Sequence, residues 1–290
     1  MLRVARQEIL ECGDGVRLQG HHSRQAGAAK GLAIMLHGWE GCAEANYVVS
    51  MSGKLYASGF DVFRLNFRDH GGTHELNEEL FHSCRIDEVV NAIAAVQRAH
   101  PARRTVLIGY SLGGNFALRT AMRHDQAGLD LERVFAICPV LEPRSTMLAL
   151  EQGFWIYRHY FLRRWRRSLA NKAAVFPERY DFGDLRRFRT LTDTTAFFVQ
   201  RYTEFPDLDS YLRGYALTGG VLDGLSVPCN LIAAADDPVI PIRDLGRLAR
   251  SPALSIEVVP WGGHCGFLDG YGLSSYADRA MLAALAPDPD

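Results

Sequence analysis

The sequence predicts a doubly wound α/β fold, a parallel sheet covered by helices on both faces. Three observations point there. Short apolar runs alternate with segments of helical period along most of the chain. Several of those runs are unbroken, such as Leu32-Ala33-Ile34-Met35-Leu36 and Val106-Leu107-Ile108, and strands buried on both faces have that pattern. The stretch Gly109-Tyr110-Ser111-Leu112-Gly113 then joins one run directly to a helical segment.

The elements follow in order. Glu8–Leu10 and Val16–His21 form an antiparallel edge hairpin across Gly13-Asp14-Gly15. Strands are expected at Gly31–Leu36, Asp61–Phe67, Arg104–Gly109, Arg133–Cys138, Cys229–Ala234 and Ser255–Val259. Helices are expected at Ala45–Ala57, Ile86–Ala99, Leu112–His124, Ile242–Ala249 and Ser274–Leu285. In the second of these, Ile86, Val89, Val90, Ile93 and Val96 recur at helix spacing, which marks one core-facing stripe. The rhythm breaks between Pro139 and Leu222 and restarts at Val227-Pro228-Cys229. We therefore expect one core, residues 1–138 and 223–290, interrupted by a helical insertion at 139–222. From Arg144 to Arg189 the insertion holds eleven Lys and Arg against Glu151, Glu178, Asp181 and Asp184, a local charge of +7.

Composition narrows the function classes. The 290 residues carry 32 basic and 33 acidic side chains, a net charge of −1, so no global attraction to nucleic acid is expected. No apolar run approaches the length of a spanning helix. Met1–Asp14 lacks the basic, apolar, small-residue order of a secretory signal. With Cys12, Cys42, Cys84, Cys138, Cys229 and Cys265 far apart in sequence, free thiols in the cytoplasm are the expectation.

The chemistry centres on Ser111. A strand leads into Gly109-Tyr110-Ser111-Leu112-Gly113 and a helix leaves it, the arrangement of a nucleophile elbow. So tight a turn leaves no room for side chains two residues before and after the serine, and it exposes the hydroxyl. A serine hydroxyl is a weak nucleophile until a base takes its proton. His264, in Gly262-Gly263-His264-Cys265-Gly266 after the last strand, is the candidate base. The acid belongs in Ala235-Asp236-Asp237-Pro238, after the strand ending at Ala234. Asp236 and Asp237 compete for this role. Asp237 is favoured because Pro241 follows four residues on; Asp236 then helps shape the turn. The acid's task is to hold the histidine tautomer and stabilise the imidazolium. Two amides must bind the oxyanion: that of Leu112, after the nucleophile, and that of Trp39, in Leu36-His37-Gly38-Trp39-Glu40-Gly41.

With His37-Gly38-Trp39, the Ser111 elbow, Asp237 and His264 in this order, the chain resembles the α/β-hydrolase superfamily. Leu36-His37-Gly38-Trp39-Glu40-Gly41, Asn66-Phe67-Arg68 with its following glycine-bearing loop, and Gly113-Gly114-Asn115 are similar to its YheT-like branch of esterases and lipid hydrolases. The loop Asp69-His70-Gly71-Gly72 departs from that pattern, which has glycine directly after the arginine. The resemblance implies an eight-stranded, mostly parallel sheet with a helical cap over a serine-hydrolase site. The expected substrate is a small-molecule carboxylic ester, acyl or lipid-like in character, with no cofactor and no metal.

Weaker signals flank this site. Asp69, His70, His74, Glu75, Glu78, Glu79 and His82 crowd together without the paired spacing of metal ligands, and a polar loop is expected, with His70 at the pocket mouth. Phe154 to Arg167 mixes aromatics with arginines. Such a stretch can rest on a membrane surface, recognise an anionic substrate, or form a cap helix with solvated arginines. Phe154, Trp155 and Tyr157 are its candidate acyl-pocket residues, with Tyr110 beside the nucleophile. Cys265 is expected as a small buried residue. Acyl transfer, thioester or amide cleavage, and lyase chemistry use the same parts. A non-catalytic receptor on this fold usually lacks a triad member, and here all three residue types are present.

Overall fold

A computed structural model describes residues 1–269 and 274–286; residues 270–273 and 287–290, within the expected core segment 223–290, lie outside the described residues. Strands β1 (Ala5–Glu11) and β2 (Arg17–Ser23) pair antiparallel. Their turn places Gly13, Asp14 and Gly15 at positive φ. Then come β3 (Leu32–Leu36), α1 (Asn46–Ala57), β4 (Asp61–Leu65) and α2 (Ile86–Ala99). The elbow joins β5 (Thr105–Tyr110) to α3 (Leu112–Ala121), followed by the single turn α4 (His124–Ala127) and β6 (Arg133–Ile137). After the insertion helices α5 (Pro143–Gln152), α6 (Trp155–Val175), α7 (Leu191–Tyr202) and α8 (Leu208–Arg213), the sheet resumes with β7 (Cys229–Ala234) and β8 (Leu254–Val259). Helix α9 (Tyr276–Leu285) closes the described chain.

The eight strands form one sheet in the order β1-β2-β4-β3-β5-β6-β7-β8. From β4 to β8 every neighbouring pair is parallel; near one edge β2 runs antiparallel to both of its neighbours, β1 and β4. This is the sheet that the resemblance implies. All five residues of β3 and all six of β5 are buried, which explains why their sequences do not alternate. Helix α2 buries Ile86, Val89, Val90, Ile93 and Val96, the expected stripe.

Three expected elements change in detail. The strand from Asp61 ends at Leu65, because the Phe67 amide leaves the sheet to donate to His37 Nε2 at 3.2 Å. The helix from Leu112 ends at Ala121, and Arg123 adopts a non-helical φ of −113° before α4. Ile242–Ala249 becomes a 3₁₀ turn over Ile242–Arg247, short because Leu248 bridges to Thr218. Between β6 and β7 the insertion builds apolar clusters of its own. One joins Leu169, Tyr180, Phe182 and Phe198 to Leu80; another joins Val199, Tyr211 and Leu212. A buried ion pair tethers it to the core. Lys172 Nζ on α6 meets Asp69 Oδ1 at 2.8 Å and donates to the carbonyls of Asn77 and His74. Among the described residues no helix is long and apolar enough to cross a membrane.

Candidate active site

The loops that leave the carboxyl ends of β3, β5, β7 and β8 meet at one rim of the sheet, where open α/β sheets place ligands. Ser111 sits between β5 and α3 at φ 54° and ψ −117°, a left-handed conformation that strains a residue with a Cβ. Its amide donates to the Ile137 carbonyl at 2.8 Å, which pins the turn to β6. The two flanking glycines are required for different reasons. A Cβ on Gly109 would lie 2.1 Å from the Gly113 carbonyl oxygen, within the elbow itself. A Cβ on Gly113 would lie 2.5 Å from the carbonyl oxygens of Leu36 and His37, where α3 packs on the end of β3.

The structure brings Ser111, His264 and Asp237 into one hydrogen-bonded chain. Ser111 Oγ lies 3.0 Å from His264 Nε2. On the far side of the ring, His264 Nδ1 lies 2.9 Å from Asp237 Oδ2 and 3.2 Å from Oδ1. A carboxylate only accepts, so Nδ1 carries the proton and Nε2 is free to accept from the hydroxyl. Asp237 is itself fixed, because its Oδ1 accepts from the amides of Val239 and Ile240 at 2.8 and 3.0 Å. Its side chain is 2% exposed. The neighbouring Asp236 turns away from the ring and accepts from the amides of Gly262 and Gly263, both at 2.8 Å. Those bonds hold its carboxyl below the usual carboxylate range and latch the histidine loop to the β7 loop.

The loop after β3 runs beside the serine: a Cβ on Gly38 would lie 3.2 Å from Ser111 Cβ. Neither the Leu112 amide, first in its helix, nor the Trp39 amide has a partner among the described residues. Side chains hold this loop in roles that the sequence did not assign to them. Tyr47 Oη accepts from the Gly38 amide at 2.9 Å. His37, fully buried, donates from Nδ1 to the Gly38 carbonyl and accepts at Nε2 from Phe67. His70 accepts at Nε2 from the Glu40 amide and donates from Nδ1 to the Arg68 carbonyl. Burial keeps both imidazoles neutral, with His37 well below its ordinary value and His70 lowered to about 4. Asn66 Oδ1 accepts from the Ala43 amide, and Arg68 grips Glu88 through two bonds of 3.0 and 2.6 Å. The Asn66-Phe67-Arg68 stretch had been singled out only as a point of family resemblance, and its bracing role comes from contacts with residues distant in sequence.

The remaining expected residues are placed unevenly. Tyr157 lines the cavity of about 700 Å3 that holds Ser111 and His264. His70 does not line it; its ring braces the Glu40 amide and borders the adjoining cavity instead. Tyr110 is buried and packs against Tyr47, ring centroids 4.8 Å apart, because alternation along β5 turns it inward. Phe154 and Trp155 are each 60% exposed and lie outside the cavity lining. The helical period of α6 instead turns Tyr157, Phe161 and Trp165 inward, and Phe161 and Trp165 pack on Trp39 at 5.3 and 5.4 Å between ring centroids.

Among the described residues, two groups could offer a metal three ligands: Cys138, His264 and Cys265, and Glu8, His22 and His100. In the first, both histidine nitrogens are already engaged, and burial pushes the Cys265 thiol well above its ordinary value, which opposes thiolate ligation. The second lies between the β1–β2 edge and the residue that follows α2, with Glu8 already bonded to His100 at 2.8 Å.

Glu40 makes the pH behaviour testable. Burial raises its carboxyl to about 7. A raised acid holds its proton in the folded chain after the unfolded chain has released it, so stability falls as pH rises from about 4.5 to about 7. The shift corresponds to on the order of 3 kcal/mol once both states are ionised. Glu40→Gln should therefore match the parent's melting temperature at pH 5 and exceed it by several degrees at pH 8. Thermal unfolding at both values decides this, and an equal difference at both would remove Glu40 as the source.

A family model for the alpha/beta hydrolase fold matches residues 33–271. The protein YheT of Escherichia coli (strain K12), whose name proposes an esterase, is 23% identical over 265 residues, 89% of this chain and 76% of that one. RutD of Caulobacter sp. (strain K31), whose name proposes a carbamate hydrolase, is 26% identical over 284 residues, 90% of this chain and 96% of that one. Among solved structures, Est1E from Butyrivibrio proteoclasticus with bound ferulic acid superposes with a TM-score of 0.60 at 14% identity, over 96% of this chain and 97% of that one.

Proposed function

The chain belongs to the α/β-hydrolase family, and from that premise we propose that it is a serine hydrolase that cleaves a carboxylic ester through an acyl-enzyme. The observation that carries this reading is the chain Ser111 Oγ–His264 Nε2 at 3.0 Å and His264 Nδ1–Asp237 Oδ2 at 2.9 Å, opening into a cavity. Ser111 attacks the acyl carbon as His264 takes its proton, and Asp237 stabilises the imidazolium. The amides of Leu112 and Trp39 receive the oxyanion. His264 then protonates the leaving alcohol, activates water, and the acid departs. The segment 139–222 acts as the cap, clamping Trp39 through Phe161 and Trp165. All six cysteines are free thiols, which supports the expected cytoplasmic setting.

The two sides of the scissile bond have different surroundings. A mainly apolar pocket of about 110 Å3 abuts Leu112 and Trp39, lined by Val140, Met147, Leu150 and Leu191. It suits a short acyl chain. The larger cavity, bordered by His264, faces the leaving group. Each methylene buried in the apolar pocket contributes about 0.8 kcal/mol, roughly fourfold in rate, until the space is full. With a p-nitrophenyl ester series, kcat/KM should peak near four acyl carbons and fall by tenfold or more (on the order of 1.4 kcal/mol) at long chains. A steady rise to twelve carbons would move the acyl site elsewhere. No hydrolysis, together with no labelling by a fluorophosphonate serine probe, would end the serine-hydrolase reading.

A further inference from the structure

The cavity at Ser111 shares a wall with a second cavity of about 470 Å3; Glu40, Gly41, Cys42, Tyr160 and Arg164 border both. One side of the second cavity is a stripe of α6. Arg163, Arg164, Arg167, Ser168 and Asn171 recur there at the spacing that puts side chains on one helix face. The opposite side is the oxyanion loop and the turn Asp69–Gly72.

The charge in this annex is unbalanced. Arg163, Arg164 and Arg167 pair with no carboxylate among the described residues, whereas the buried Arg68 and the exposed Arg179 do. Asp69 borders the annex, but Lys172 at 2.8 Å already matches its charge. That leaves Glu40 facing three guanidinium groups, and its carboxyl stays protonated up to about 7. Arginines on a solvated helix face are ordinary, but these three line a concavity that continues from the nucleophile's own. The guanidinium fork matches the planar or tetrahedral oxygens of carboxylate and phosphate.

We propose that the annex binds the anionic end of the substrate's alcohol portion, so that the substrate is an ester of a short acid with an alcohol bearing a carboxylate or phosphate. The orientation follows from the site. His264 must protonate the leaving oxygen, and it borders the larger cavity, so the alcohol runs through that cavity toward Arg164 and the annex beyond. The acyl group takes the opposite pocket at Leu112. This proposal rests on the serine-hydrolase reading and adds the substrate's charge to it.

The test pairs 6-acetoxyhexanoate with its neutral carboxamide, and 3-acetoxypropyl phosphate with 3-acetoxypropanol, following acid release. The parent enzyme should favour the anionic member of at least one pair by about tenfold or more in kcat/KM, the effect of one charge-assisted contact. Which pair shows it separates carboxylate from phosphate. In Arg163→Gln/Arg167→Gln the ratio should fall to about one, and Arg186→Gln, an exposed arginine outside the annex, should keep it. Ratios near one in the parent, or a ratio that survives the double variant, overturn the annex while neutral-ester hydrolysis and serine labelling still uphold the hydrolase. Calorimetric binding of 6-hydroxyhexanoate and of 3-hydroxypropyl phosphate needs no turnover. Binding of one of them that is lost in the double variant supports the annex, and binding of neither refutes it even in a protein that cleaves nothing.

Discussion

Ser111→Ala is expected, on the proposed mechanism, to lower ester turnover by on the order of 10⁴-fold or more, because the proposed attacking atom is gone and only binding and the proposed oxyanion amides remain. The fold should survive. Ser111 Oγ makes its hydrogen bond to His264, while the amide bond to Ile137 and the strained φ of 54° belong to the backbone and persist in alanine. The melting temperature should stay within a few degrees, and the covalent mass added by a fluorophosphonate probe should disappear. Asp237→Asn should lose on the order of 10⁴-fold by a different route, since an amide offers a donor as well as an acceptor to Nδ1 and destabilises the required tautomer. A Ser111→Ala protein that keeps a tenth of the parental rate would place the chemistry on another group.

Gly109→Ala should have the largest effect on stability. Its added Cβ would come within 2.1 Å of the Gly113 oxygen, 2.4 Å of the Gly113 carbonyl carbon and 2.7 Å of the Gly114 amide nitrogen. All three are backbone atoms at the start of α3, a helix buried along its length, so nothing flexible can yield. A loss of at least ~4 kcal/mol is expected, seen as failure to fold or a melting temperature lower by ~8 °C or more. Gly53→Ala supplies the contrast. That glycine lies inside α1, and an added Cβ would meet nothing within 4 Å. The same change there should stabilise by ~0.5–1 kcal/mol, the ordinary helix preference of alanine over glycine. Equal melting temperatures for the two variants would mean that the elbow is not packed as described.

Sheet and helices were legible because burial on both faces leaves a local mark. Unbroken apolar runs at β3 and β5, and the Ile86-to-Val96 stripe of α2, each record an environment repeated along a single element. Short-range chemistry was legible for the same reason at Gly109, whose added Cβ would clash within the five-residue turn itself, whereas Gly113 answers to the distant carbonyls of Leu36 and His37. The details that escaped depend on distant partners. The strand at Asp61 stops early because His37, thirty residues back, takes the Phe67 amide. Glu40 is an unremarkable acid in sequence and becomes a raised one only where the folded chain buries its carboxyl.

By itself the amino-acid sequence determined a parallel α/β sheet, the position of the elbow, and a short roster of residues for a serine-centred reaction. The sequence favoured Asp237 over Asp236, and the structure sets that carboxylate against His264; tertiary structure alone decided that His70 braces a loop and that Tyr157 rather than Phe154 or Trp155 reaches the cavity. It also gathered Arg163, Arg164 and Arg167 around one hollow. The physical reason is range. Periodicity and steric demands act between neighbours and are written into consecutive residues, whereas the direction of a side chain at a rim built from separate loops is set by atoms far away along the chain.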